Sequence, residues 1–387
     1  METEEGKLPE HTKIEEIDKK LKEKFLMKKI CIILLLISGT GISVFPQEVL
    51  YRVGLHNFFD NTELTGSPYN SSQTMAGVHF APQIGLGLDA RNKIFVGVDA
   101  MHEYGSDKAI GYYDPIAYYE FDGKPFRFYM GAFPRSMALD KYPRFFFQDS
   151  ISNYRPVMTG LFWEYYSEKN DFMNVWLDWT GRQTLTTREA FFMGWSGRYN
   201  RGVFYGQHFG YMFHFARTED AAPDIDSFVH DNGRIWTALG VDLSSKTPFD
   251  VLDINAGWAV SLERDRGRGD SWDCPQGLLS EIKVEYRGVG LFNTYYKGGS
   301  SGKFYDALGT QLYWSDGFYR ASRYDRFEGY IYFLKNNSVT LKLDLSFHFV
   351  DAGMFTEQMF TATFDLNNLK NKKPDKKYRY LWENWLK

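Results

Sequence analysis

The sequence predicts an all-β fold, an antiparallel transmembrane β-barrel of about 16 strands with a range of roughly 14–18. Three observations predict it: the aromatic composition, apolar runs with a period of two, and the alternation of short and long connections. Of 387 residues 18% are aromatic, with 26 Tyr, 33 Phe and 10 Trp, yet the mean hydropathy is -0.42. Alternating strands with aromatic ends give that pairing. The net charge of -4 offers no basic excess for a nucleic acid and names no ligand.

The clearest strand is 339–349, where Val339, Leu341, Leu343, Leu345, Phe347 and Phe349 alternate with Thr340, Lys342, Asp344, Ser346 and His348. A period of two sends the two sets to opposite faces, and 11 residues is about what a tilted strand needs to cross a bilayer. The runs 173–179, 281–287 and 326–333 repeat the pattern. A soluble β-sandwich shows the same alternation, so the connections decide. Short turns fall at 90–93, 122–124, 168–171, 200–202, 244–250, 287–290 and 335–337. Between them lie polar loops at 61–73, 103–111, 134–157, 181–187, 217–233, 264–277 and 298–322, and a brief one at 351–353. Short turns on the periplasmic rim and long loops outside are the barrel signature. Eight loops and seven turns join sixteen strands and return both ends to the periplasm. Residues 311–319 leave room for one more pair.

The domain reading has four parts. Residues 1–26 are charged and read as a start-site extension ahead of Met27. Residues 27–47 have signal-peptide architecture, with Lys28 and Lys29, an apolar run from Ile30, and then small residues; an N-terminal anchor is the rival. The barrel occupies 48–366. A basic and aromatic tail, 367–387, reads as a solvated periplasmic end or as a segment that plugs the lumen or binds a partner. Cys31 leaves with the signal peptide, so Cys274 is the lone thiol of the mature chain and no internal disulfide is expected.

The stretch Gly54-Leu55-His56-Asn57-Phe58-Phe59-Asp60-Asn61, then Ser72-Gln73-Thr74-Met75 and Gly131-Ala132-Phe133-Pro134-Arg135, resembles the opening third of porin-like outer-membrane proteins of the Bacteroidetes type. The resemblance implies a barrel in the cell outer membrane and carries no catalytic residue. One departure is the tail, since such barrels commonly end on an aromatic residue read by the assembly machinery.

If the apolar faces meet lipid, Asp178, Lys283, Glu285, Arg287, Arg326, Glu328, Lys342, Asp344 and His348 become pore-lining candidates, tuning passage by size and field. Pairing across the wall is the bland alternative. In loop 134–157 the run 145–147 is three Phe, which should not stand bare in water. That loop is expected to fold into the barrel, with Arg135 and Arg144 facing Asp140 and Asp149 across a constriction around Phe146; loop 298–322 is a rival. Paired aromatics near strand ends read as interfacial belts.

His79, His102, His208, His214, His230 and His348 offer bases, but the one Gly-x-Ser-x-Gly match, at 298–302, falls in a Gly/Ser loop without strand-turn-helix context, and there is no His-Glu-x-x-His and no cysteine pair, so the chain is expected not to be an enzyme. No metal and no cofactor are expected. The expected partners are outer-membrane lipid and small solutes or glycans, with no nucleic acid and the oligomeric state open. The expected function is a porin-like channel for passive or weakly selective passage of small solutes. Its rivals are a surface binding or adhesion barrel, and an outer-membrane enzyme that modifies lipid.

Overall fold

The computed structural model describes residues 48–218, 228–369 and 378–383. The expected start-site extension, the signal peptide and most of the tail lie outside the described residues. Sixteen antiparallel strands close into one barrel. The first eight are β1 (Glu48–Glu63), β2 (Gln73–Gly87), β3 (Asn92–Glu103), β4 (Tyr112–Gly123), β5 (Phe126–Pro134), β6 (Val157–Tyr166), β7 (Phe172–Gly181) and β8 (Ala190–Arg201). The rest are β9 (Phe204–Phe215), β10 (His230–Asp242), β11 (Val251–Asp265), β12 (Gln276–Tyr286), β13 (Val289–Gly298), β14 (Arg323–Lys335), β15 (Val339–Val350) and β16 (Gly353–Asn367). Each pairs with its neighbours in sequence, and β1 meets β16 from Arg52↔Asn367 to Glu63↔Thr356, which leaves no open edge. Where their residues are described, the expected turns and loops centre on the connections between strands, although β10 begins at His230, inside the expected loop 217–233. The extra pair allowed at 311–319 is absent, because that stretch belongs to a loop with short 3-10 turns at Gly309–Gln311 and Gly317–Arg320.

The period of two sorts the side chains. On β15 Leu343, Leu345 and Phe349 are exposed on the outside while Asp344, Ser346 and His348 are buried inside. Ile84 and Leu86 on β2 and Ile94 and Val96 on β3 face outward in the same way, which is what a wall bathed in hydrocarbon requires. Near the strand ends Tyr113, Tyr165 and Trp179 are exposed, whereas Tyr118, beside Tyr119 in sequence, is buried in the lumen.

Two loops fold into the barrel. The loop 135–156 carries two short helices, α1 (Ser136–Leu139) and α2 (Asp149–Tyr154), and the loop 299–322 carries α3 (Tyr305–Leu308). They are bonded to each other: Gln148 N–H donates to Trp314 O at 2.8 Å, and Asp316 N–H to Arg144 O at 3.3 Å. Phe145 packs edge-on against Tyr319 at 5.1 Å, Phe146 against Tyr211 at 5.9 Å, and Phe147 against Phe192 at 5.8 Å. Phe95, Tyr118, Phe162, Trp236 and Tyr296 of the wall join the same core. Burying a Phe is worth about 1.5–3 kcal/mol, so the three consecutive Phe leave water by entering the lumen. The barrel is crossed by packed aromatic rings.

Of the tail, residues 378–383 are described. Tyr380 Oη accepts from Lys335 N–H at 2.7 Å, Leu381 N–H donates to Arg287 O at 3.1 Å, and Trp382 stacks on Tyr380 at 5.1 Å. This part lies on the periplasmic turns after β12 and β14.

Candidate active site

The strand phase that buries Phe58 and Phe95 also turns His56, His79, Asp99 and Asp114 into the lumen. His56 is opposite His79 across β1 and β2, and Asp99 is opposite Asp114 across β3 and β4. Four polar side chains from four consecutive strands therefore meet in the half of the barrel nearer the long loops.

His79 Nδ1 is 2.6 Å from Asp99 Oδ1. A carboxylate only accepts, so the imidazole proton sits on Nδ1 and the Nε2 lone pair is free. Nε2 is shielded from solvent and makes no hydrogen bond. A buried polar atom without a partner costs free energy, and here the strand register enforces it. His56 stands alongside with its ring centroid 6.3 Å from that of His79, and its Nδ1 is 2.9 Å from Thr363 Oγ1 of β16. The α2 residue Asn153 also bonds to His56. Next to it Tyr154 packs on Phe58 at 6.2 Å and donates to Glu103 at 2.9 Å. Burial raises the Tyr154 hydroxyl well above its ordinary titration range, and the hydrogen bond to Glu103 adds to this. The arrangement is a histidine base fixed by a carboxylate, with a second imidazole and an amide at its side. Such a group can take a proton from water.

A separate network holds the loops in place. Arg144 donates to both carboxylate oxygens of Glu357 at 3.1 and 3.2 Å, lies 3.6 Å from Asp316 and pairs with Asp149. Glu357 also accepts from His348 at 3.1 Å, and His348 Nδ1 is 2.7 Å from Tyr324 Oη. At the loop's root Arg135 donates to Asp178 at 2.6 Å and to the carbonyls of Arg155 and Val157 at 2.6 and 3.1 Å. The expectation that Arg135 and Arg144 face Asp140 and Asp149 across a constriction is thus corrected. Arg135 binds the β7 wall, Arg144 binds Asp149 of its own loop, Asp140 is exposed, and Phe146 is in the core. The reason is burial: an enclosed guanidinium needs enclosed carboxylates, and Asp178 of β7 and Glu357 of β16 are buried where Asp140 is exposed.

The other residues singled out are placed as follows. Asp178, Glu285, Arg326, Glu328, Asp344 and His348 are buried in the lumen, and Lys283 and Lys342 are partly buried. Most are paired with one another: Arg326 with Glu328 at 2.5 Å, Lys342 with Glu328 at 3.2 Å and with Asp344, and Glu285 with Tyr330 at 3.2 Å. Arg287 is not on the strand. It occupies the turn after β12 with φ 49 and lies over the Tyr286 ring. Sequence reasoning named His79 as one scattered histidine and missed Asp99, Asn153, Thr363 and the role of His56. Asp99 is twenty positions from His79, and no short motif spans them; the available signal was that both fall in the inward phase of adjacent strands.

The fold and its outward apolar band define an outer-membrane β-barrel. Within that class the chain belongs to the lipid A 3'-O-deacylase-type family, whose profile matches residues 46–372. That family is one of enzymes, and the expectation of a non-enzyme is overturned by it. The expectation failed because it sought contiguous motifs, whereas a barrel brings polar groups together across neighbouring strands. The outer-membrane part of the sequence resemblance stands. No curated protein sequence matches the chain.

Among solved structures, a loop-deletion mutant of OmpT, an outer membrane protein of Vibrio cholerae, is similar with 7% identity and a TM-score of 0.50, covering 83% of this chain and 100% of that one. OmpF of Salmonella typhi, solved with daunomycin, has 12% identity and a TM-score of 0.46, covering 83% and 97%. OpdK of Pseudomonas aeruginosa has 7% identity and a TM-score of 0.44, covering 83% and 99%. At such identities the likeness concerns the fold alone.

Proposed function

We infer that this barrel is an outer-membrane hydrolase that removes an ester-linked acyl chain from lipid A, with His79 as general base and Asp99 as the residue that positions it. The observation that carries the reading is the His79–Asp99 pair at 2.6 Å with Nε2 unbonded, in a chain of a deacylase-type family. Water between Nε2 and the ester carbonyl gives its proton to His79 as its oxygen attacks carbon. The tetrahedral intermediate collapses with cleavage of the bond to the sugar oxygen, which takes the proton back from the imidazolium. The products are a free fatty acid and a lipid with a new hydroxyl. His56 stands beside His79, its ring centroid 6.3 Å away, as a second imidazole at the site. The packed core across the lumen counts against the channel reading.

The test is mass spectrometry of lipid A from cells expressing the wild type, His79→Asn and Asp99→Asn. The wild type releases one acyl chain, His79→Asn none, and Asp99→Asn slows release by about 10²–10⁴-fold. A full rate in either variant, with the barrel folded, rejects the assignment.

A further inference from the structure

The wall beside this dyad is incompletely hydrogen-bonded. β4 and β5 pair from Gly123↔Phe126 up to Ala117↔Ala132 and no further, although β4 continues to Tyr112 and β5 to Pro134. Extending the register puts Pro115 opposite Pro134. Neither has an N–H, so that rung cannot form. Gly131, with φ +122 and no room for a Cβ beside the Ala117 carbonyl, stands just below. Above this point β5 runs into α1, and Arg135 N–H extends the pairing with the β6 side by donating to Pro156 O. On the other side of β3, pairing with β2 lapses between Phe80↔Ala100 and Gln83↔Gly97, where Pro82 stands. Prolines on both neighbours thus weaken the wall at the height of Asp99.

The position suits a lipid. On the outside the notch is bordered by exposed Tyr113, a residue of headgroup depth, with Val96 and Ile94 exposed lower on β3. Inside it opens on Asp114, which lies in the charge field of Asp99, His79, Arg135 and Arg155. Tyr154 backs it, edge-on to Tyr112 at 6.1 Å. Ester bonds of an outer-leaflet lipid lie between headgroup and hydrocarbon, at this level. We propose that the unpaired tops of β4 and β5 form a lateral portal through which an acyl chain of an outer-leaflet lipid passes from the membrane to the His79–Asp99 dyad. This rests on the reading that the chain acts on lipid A, and it adds the route.

The experiment places a photoreactive side chain inside the wall, Asp114→p-benzoylphenylalanine, in the full barrel within lipid A-containing outer membranes. Lys283→p-benzoylphenylalanine, at a lumen position far from the notch, is the control. Irradiation yields a lipid adduct at position 114 and none at 283; no adduct at 114, or equal adducts at both, overturns the portal. In a Cys274→Ser background, Pro115→Cys with Pro134→Cys closes the notch on oxidation, abolishing the adduct and lowering lipid A deacylation about ten-fold or more until reduction. An adduct retained in the oxidised, disulfide-bonded protein also overturns it. An adduct without any deacylation by the wild type sustains the portal and rejects the hydrolase reading; deacylation without an adduct does the reverse.

Discussion

Arg144→Ala removes the cation that joins loop 135–156 to the wall. Its guanidinium lies 3.1 Å from Glu357, 3.6 Å from Asp316 and in contact with Asp149, and its side chain is only 15% exposed. Each pair is worth about 4–5 kcal/mol of gross attraction at an effective dielectric of 20, most of which is offset by the cost of taking the charges out of water. Removing one partner strands the others, and the net loss is about 3–5 kcal/mol. Glu357→Gln in the same chain removes one stranded charge and recovers about 1–2 kcal/mol of that loss. Arg144→Lys keeps the charge without the two-pronged bond and falls between. The assay is urea unfolding of the refolded barrel in detergent micelles, followed by tryptophan fluorescence, with Trp314 of the partner loop as a local reporter. A loss below about 1 kcal/mol for Arg144→Ala, or no recovery in the double variant, refutes the view that this network holds the loop inside.

Other consequences follow from the same contacts. Deleting 142–150 removes the Phe run and converts a closed lumen into a conducting one; unchanged single-channel conductance in a planar bilayer contradicts the plug. Trp314→Ala empties a site ringed by Phe192 at 4.6 Å, Arg155 at 4.7 Å and Arg135 at 5.3 Å, costing about 3–5 kcal/mol in the same unfolding assay. Asp171, in the turn before β7, accepts from Asn200 N–H at 2.7 Å and from Ser167 Oγ at 3.0 Å, and the backbone bond from Asn200 holds its carboxyl below the usual range. Its contribution is therefore complete above the unfolded carboxylate range and is lost as pH falls through the lowered value. The protection factor of the Asn200 amide, the exchange rate of an unstructured peptide at the same pH divided by its own, falls on acidification through that window, and Asp171→Asn removes the dependence. Tyr380→Ala breaks the bond to Lys335 and exposes the tail to protease added from the periplasmic side, leaving the barrel intact.

Much of this architecture is written in local pattern. Strand periodicity in 339–349 and the alternation of turns such as 335–337 with loops such as 298–322 determine sixteen strands, their order, and which side chains face lipid, because a period of two and a short hairpin are properties of consecutive residues. The Phe run at 145–147 likewise announces an inward loop, since three aromatic rings must find a dry place. Tertiary structure alone decides which carboxylate answers Arg144 and Arg135, because Glu357 reaches the first through the inward fold of its loop and Asp178 the second through the pairing of β5, β6 and β7. It also decides the pairing of His79 with Asp99, and the gap where Pro115 would oppose Pro134. These depend on register between strands, a relation among residues distant in sequence, and on shear that brings Thr363 of the last strand beside His56 of the first. The wall of this barrel was legible one strand at a time, but its chemistry exists only between strands.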